Sequence, residues 1–153
     1  MKVIQITSAA TKPLRHKVLW PHIEQTADCV IDIDDRADAI HLGAFNDQEV
    51  LVGVCSLFEM ETPKLTFEKQ YRLRAMATDP DVRGTGAGRS IVQHALQTIE
   101  KLDYDVLWCD AREVALGFYE RMGFDRIDEW YEVRNVGPHQ LMYFELNQNN
   151  KIG

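Results

Sequence analysis

The stretch that most constrains the fold is Ala75-Met76-Ala77-Thr78-Asp79-Pro80-Asp81-Val82-Arg83-Gly84-Thr85-Gly86-Ala87-Gly88-Arg89-Ser90. An extended apolar run stops at a proline, turns through three alternating glycines and enters a helical pattern. Glycines at 84, 86 and 88 permit φ > 0 and lack the Cβ atoms that would hold a ligand off the backbone. A helix starting behind them aims its first N–H groups and positive dipole end at whatever rests on the turn. Such a turn favours phosphate oxygens, and Arg83 and Arg89 add guanidinium donors for the same anions. The stretch reads as a pyrophosphate cradle, against the plainer reading of a glycine-rich turn.

The flanking patterns predict what this turn is built into. Residues 2–7 alternate as a strand, and apolar positions 14, 18 and 19 predict a helix over 13–20, with proline near its start and Pro21 at its end. Residues 28–38 are rich in aspartate and predict an exposed strand edge and turn; they lack the ligand order of an EF-hand. Residues 39–45 and 50–58 flank a polar 46–49 turn as an antiparallel hairpin, and 71–78 form the next strand. Ile91, Val92, Ala95, Leu96, Ile99 and Leu102 keep one helix face apolar. Residues 105–109 predict a buried strand, and 113–122 a helix with Val114, Phe118 and Met122 inward and Gly123 as its cap. Residues 126–133 and 140–146 predict two closing strands. The fold class is α/β, a mixed sheet with helices on both faces, in a single domain over 1–146 followed by a polar tail at 147–153.

At 153 residues and 45% hydrophobic, the chain can bury a substantial core. No run is long and apolar enough to span a membrane, and the first residues lack a signal peptide's layout. Cys29, Cys55 and Cys109 are odd in number and far apart, which predicts reduced thiols and a cytoplasmic setting. The formal charge of 17 − 24 = −7 argues against nucleic acid as the main partner. His16, His22 and His41 show no metal spacing with the cysteines, and His94 reads as solvated, so no metal is expected.

Among phosphate-binding turns, a P-loop fails because Arg83 stands at its first glycine and Arg89 at its lysine. A Rossmann fingerprint lacks its third glycine at 89 and would not follow antiparallel strands. Met76-Ala77-Thr78-Asp79-Pro80-Asp81-Val82-Arg83-Gly84-Thr85-Gly86-Ala87-Gly88 resembles the acetyl-CoA motif of the GNAT superfamily of N-acyltransferases. Ala115-Leu116-Gly117-Phe118-Tyr119-Glu120-Arg121-Met122-Gly123-Phe124 resembles that family's second motif, in the family's order and separation. Pro13-Leu14-Arg15 and Gly137-Pro138-His139 further resemble small stand-alone members. The resemblance implies a GNAT fold, a mixed and mostly antiparallel sheet with a splayed pair of parallel strands. It also implies an N-acetyltransferase that uses acetyl-CoA as cosubstrate and a primary amine, small-molecule or peptide, as acceptor in a ternary complex. Its competitor is a non-catalytic acyl-CoA-binding sensor of the same fold. A homodimer is compatible with the family.

Carried over by the same resemblance, diphosphate oxygens would rest on Arg83, Gly84, Thr85, Gly86, Ala87, Gly88 and Arg89. The pantetheine arm would pair with the strand edge at Met76, Ala77 and Thr78, exposed because its neighbour at 106–108 splays away and Pro80 ends the strand. An N–H near Thr78 would hold the thioester oxygen, and Tyr119 would protonate the leaving thiolate. The chain departs from the family at Asp81, where glutamine or arginine is usual, and at Arg112, where asparagine is common; Arg112 becomes a candidate phosphate contact. Glu59, Glu61, Asp110 and His139 are candidate bases, with His139 preferred as a substrate contact. Arg72 and Arg74 share a strand face as candidate contacts for a substrate carboxylate, or as partners of nearby acidic side chains. The loops over 62–71 and 133–139 are expected to shape the acceptor pocket.

Overall fold

A computed structural model describes residues 1–82 and 84–146; Arg83 of the expected cradle and the expected polar tail at 147–153 lie outside the described residues. The strands are β1 (Lys2–Ile6), β2 (Ile40–Phe45), β3 (Leu51–Glu59), β4 (Gln70–Thr78), β5 (Val106–Arg112), β6 (Asp125–Arg126), β7 (Tyr131–Val133) and β8 (Gly137–Glu145). The α-helices are α1 (Ser8–Leu14), α2 (Ala87–Lys101) and α3 (Leu116–Arg121). The chain is α/β with a mixed sheet, parallel where β4 meets β5 and antiparallel elsewhere. It divides into two compact units, one of Met1–Glu59 with Leu73–Ala95, the other of Met60–Arg72 with the chain from Leu96 on. No helix of the described residues is long and apolar enough to cross a membrane.

In the first unit, β2 pairs antiparallel with β1 and β3, and β3 neighbours β4. Asn46 closes the β2–β3 hairpin by accepting the N–H groups of Gln48 and Val50, as a turn asparagine does. From Val52 to Phe58 every residue of β3 is buried, which its nearly unbroken apolar sequence requires. The first helix starts earlier than its apolar spacing predicts. The Thr7 hydroxyl caps α1 by accepting the Ala10 N–H at 3.2 Å. Pro13 therefore lies inside the helix, where it cannot donate to the carbonyl one turn back, and the chain widens into a π-helical turn at Arg15–Leu19. The expected strand edge at 28–38 is instead a 3-10 turn, Thr26–Asp28, followed by further turns, because Asp34 is drawn inside to meet Arg15.

In the second unit, Gln70–Arg72 of β4 pairs in parallel with Val106–Trp108, and all seven residues of β5 pair antiparallel with β8. The predicted strand over 126–133 is broken into β6 and β7, both antiparallel to β8, and β8 begins at Gly137 rather than 140. The register also corrects the expected splay. Residues 106–108 are the part of β5 that β4 does pair with. Within β4, Ala75 has a φ of 52°, left-handed for a non-glycine residue, while Pro80 only follows the strand's end. In α2, Ile91, Val92, Ala95 and Ile99 are fully buried as predicted, but Leu102 lies past its end and is half exposed. Val114 is 86% exposed in a 3-10 turn, and α3 buries Leu116 and Tyr119 instead.

A cluster of Leu65, Val106, Trp108 and Leu141 holds the Met60–Arg72 segment down. Buried Gln70 organises that segment: its Oε1 accepts the Thr62 N–H at 2.8 Å and its Nε2 donates to the carbonyls of Phe67 (2.9 Å), Leu65 (3.3 Å) and Thr62 (3.4 Å).

Candidate active site

The glycine turn lies in the first unit. After β4 a 3-10 turn, Pro80–Val82, leads to Gly84 and Gly86 at φ +86° and +85° and then into α2. Asp79 organises the approach: its carboxylate accepts the Asp81 N–H at 3.0 Å and its carbonyl the Val82 N–H at 3.1 Å. The Thr85 hydroxyl donates to the Val82 carbonyl at 2.7 Å, and Gly86 accepts the Ser90 N–H at 2.9 Å as α2 begins. A Cβ built on Gly84 or Gly86 meets nothing within 4 Å. Glycine is thus demanded by the left-handed backbone, and the space over the turn is open. Gly84, Thr85, Gly86 and Arg89 are exposed, Gly88 is half-buried and Ala87 is buried. An open, positive-φ turn at the N-terminus of a fifteen-residue helix fits an anionic diphosphate.

Ala77 packs against Leu14 and Val54 in the core, so Met76 and Thr78, both half-buried, carry the other face of β4; Arg74 is half-buried. Lys17 was not anticipated here. Its ammonium, reaching from the π-helical turn, lies 3.0 Å from Asp79 Oδ1 and 3.0 Å from Asp81 Oδ2. The Asp81 N–H and then Lys17 hold the Asp79 carboxyl below its usual value.

Tyr119 lies in the second unit, 5% exposed, with ring centroids 5.1 Å from Phe118 and 5.2 Å from Phe124. Its hydroxyl is a hydrogen-bond partner of the Cys109 thiol, which burial pushes well above its usual pKa. A Cβ on Gly117 would meet the Arg121 guanidinium at 3.3 Å. Strand alternation turns Asp110 to the face opposite Cys109. There Arg72 Nη2 donates to Asp110 Oδ2 at 2.6 Å, the Tyr131 hydroxyl donates to Asp110 Oδ1, and the Arg72 guanidinium lies 4.8 Å over the Trp108 ring. Of the two readings of Arg72, pairing with an acidic side chain is the one observed. Burial and then Asp110 push the Tyr131 phenol above its usual pKa.

His139 is 5% exposed, its Nδ1 2.8 Å from the Gly137 carbonyl, and it stands opposite the exposed Arg112 in the β5–β8 register. Glu59 is exposed and belongs to the first unit. Glu61 is exposed on an open hollow of about 600 Å³ shared with Thr62, Leu65, Phe67 and Glu68, which no residue of 133–139 lines.

The sequence singled out Arg15 but gave no signal of the buried polar network it makes in the first unit. Arg15 is fully buried and grips Asp34 in a bidentate pair at 2.7 and 2.8 Å. It also donates to Ser56 Oγ at 2.8 Å, whose other partner is His41 Nδ1 at 2.7 Å. These residues lie 19 and 41 positions from Arg15, beyond any local periodicity.

Residues 5–124 match the acetyltransferase (GNAT) family. Over 146 residues the chain is 31% identical to the uncharacterized N-acetyltransferase YitI of Bacillus subtilis (strain 168), covering 95% of this chain and 97% of YitI. It is 41% identical over 69 residues to the peptidyl-lysine N-acetyltransferase YjaB of Escherichia coli (strain K12), covering 44% of this chain and 45% of YjaB. An aminoglycoside 6'-N-acetyltransferase solved in complex with coenzyme A shares the fold at a TM-score of 0.73 and 14% identity, over 95% of this chain and 97% of that one.

Proposed function

Because the chain belongs to the acetyltransferase (GNAT) family, we propose that it transfers an acetyl group from acetyl-CoA to a primary amine by direct attack in a ternary complex. The observation that carries this reading is the turn between β4 and α2, with two glycines at positive φ and open space above them. Bound there, acetyl-CoA supplies an acetyl group activated as a thioester.

The N–H groups over 84–89 and the Arg89 guanidinium hold the diphosphate, with Arg83 assigned to the same anion and Arg112 to a further phosphate. The β4 backbone at Met76, Ala77 and Thr78 orients the pantetheine arm, and an N–H near Thr78 stabilises charge developing on the thioester oxygen. Tyr119 holds a proton at Oη for the leaving sulfur. Its place on α3, beside Phe118 in the Phe-Tyr motif, supports this role. Glu61, Arg74 and His139 are assigned to the acceptor. The exposed carboxylate of Glu61 beside an open hollow supports a cationic amine, and the peptidyl-lysine activity in YjaB's name supports a peptide acceptor.

The family match crosses both compact units, which supports reading 1–146 as one domain. The free, buried cysteines suit a reducing cytoplasm. The test is calorimetric titration of the full chain with acetyl-CoA, desulfo-CoA and NADH, followed by thiol release with a panel of amines. Binding of both CoA species but not NADH, with amine-dependent thiol release, is expected. No CoA binding would remove the cradle, and binding without release from any amine would favour a sensor.

A further inference from the structure

The bridge from Lys17 to Asp79 and Asp81 explains how this chain tolerates an acidic residue at the mouth of an anion site. Asp81 stands three residues before Gly84, where the family usually places glutamine or arginine, and Asp79 stands two residues earlier. Two carboxylates beside a turn that receives phosphates oppose its ligand. A single unopposed charge roughly 7 Å from a phosphate charge in water weakens binding about threefold, and two weaken it about tenfold. Lys17 places one ammonium 3.0 Å from each carboxylate. The bridge is also mechanical. Asp79 Oδ1, which receives Lys17, also accepts the Asp81 N–H at 3.0 Å, so one oxygen ties the lysine to the turn's backbone.

We propose that Lys17 is a positioning residue for the phosphate turn: its ammonium offsets one of the two negative charges of Asp79 and Asp81 and holds the Asp79–Val82 approach in the conformation that receives the diphosphate of acetyl-CoA. This rests on reading the turn as that cradle. Lys17 touches no ligand and acts through the two aspartates. Its side chain is 46% exposed, so the charge effect must weaken with salt.

The test is titration of the full chain with CoA, at low salt and at about 0.5 M salt, for the parent, Lys17→Met, Lys17→Arg, Asp81→Asn and Lys17→Met/Asp81→Asn. Lys17→Met should bind about threefold more weakly at low salt, with the loss shrinking at high salt. Lys17→Arg should bind like the parent, Asp81→Asn at least as tightly, and the double variant should recover most of the loss. A merely structural lysine would lower the melting temperature and show neither the salt dependence nor the rescue. Unchanged affinity in Lys17→Met, weaker binding in Asp81→Asn, or a loss that neither salt nor the second substitution reduces would overturn the proposal. Absence of CoA binding by the parent overturns the cradle itself, and is read before any substitution is made.

Discussion

Replacing Asp34 with asparagine keeps the side chain's size but leaves a fully buried guanidinium without a counter-ion. Arg15 is 0% exposed, and both of its terminal nitrogens are committed to Asp34 at 2.7 and 2.8 Å. Breaking such a pair from one side costs about 3–5 kcal/mol. For a chain of this length that is a fall of about 6–20 °C in melting temperature. Urea denaturation at neutral pH would measure it, and Trp20, whose ring centroid lies 5.9 Å from the guanidinium carbon, gives a local fluorescence probe. Arg15→Met/Asp34→Leu removes both charges and should cost less than Asp34→Asn alone. The pair also sets an acid limb. Burial pushes the Asp34 carboxyl up, but hydrogen bonds from Arg15 and the Ile31 N–H, with nearby positive charge, outweigh it and leave the carboxyl below its usual value. With the folded value below the unfolded one, its stabilisation is complete above about pH 4 and is lost as pH falls through the folded value. Asp34→Asn should lack that limb. A cost below about 1 kcal/mol, the worth of an ordinary hydrogen bond, would refute the reasoning.

Gly86→Val should abolish CoA binding and also lower the melting temperature, because a left-handed φ costs a β-branched residue about 1–3 kcal/mol. Valine resists a φ of +85°, yet its Cβ meets no protein atom within 4 Å; parental affinity in a folded variant would remove the cradle. Tyr119→Phe should lower turnover about a hundredfold with CoA affinity nearly intact, and parental turnover would end the proton-donor role. Gln70→Leu should cost about 2–3 kcal/mol, because it strips partners from Thr62, Leu65 and Phe67. Faster amide exchange over 62–67 is expected with it, and unchanged protection there would show that the apolar cluster alone holds the loop.

What the sequence alone determined is what local pattern encodes. The unbroken apolar run of β3, the 3.6-residue spacing of Ile91, Val92, Ala95 and Ile99, and the glycines that turn between β4 and α2 each carry their conformation within a dozen residues. Family membership was legible for the same reason, because both motifs are continuous in the chain. Tertiary structure decided the rest. Alanine ordinarily avoids the left-handed region, so nothing in the composition of β4 announces the positive φ at Ala75. Val114, Phe118 and Met122 sit at helical spacing, but packing chose Leu116 and Tyr119 to be buried and left Val114 outside. The polar contacts were least legible of all. Arg15 finds Asp34 across 19 positions, Tyr131 finds Asp110 across 21, and Lys17 finds Asp79 across 62. A charge pair has no periodicity; which partners meet depends on strand register and on the turn at which a helix ends, and both are settled only when the core packs.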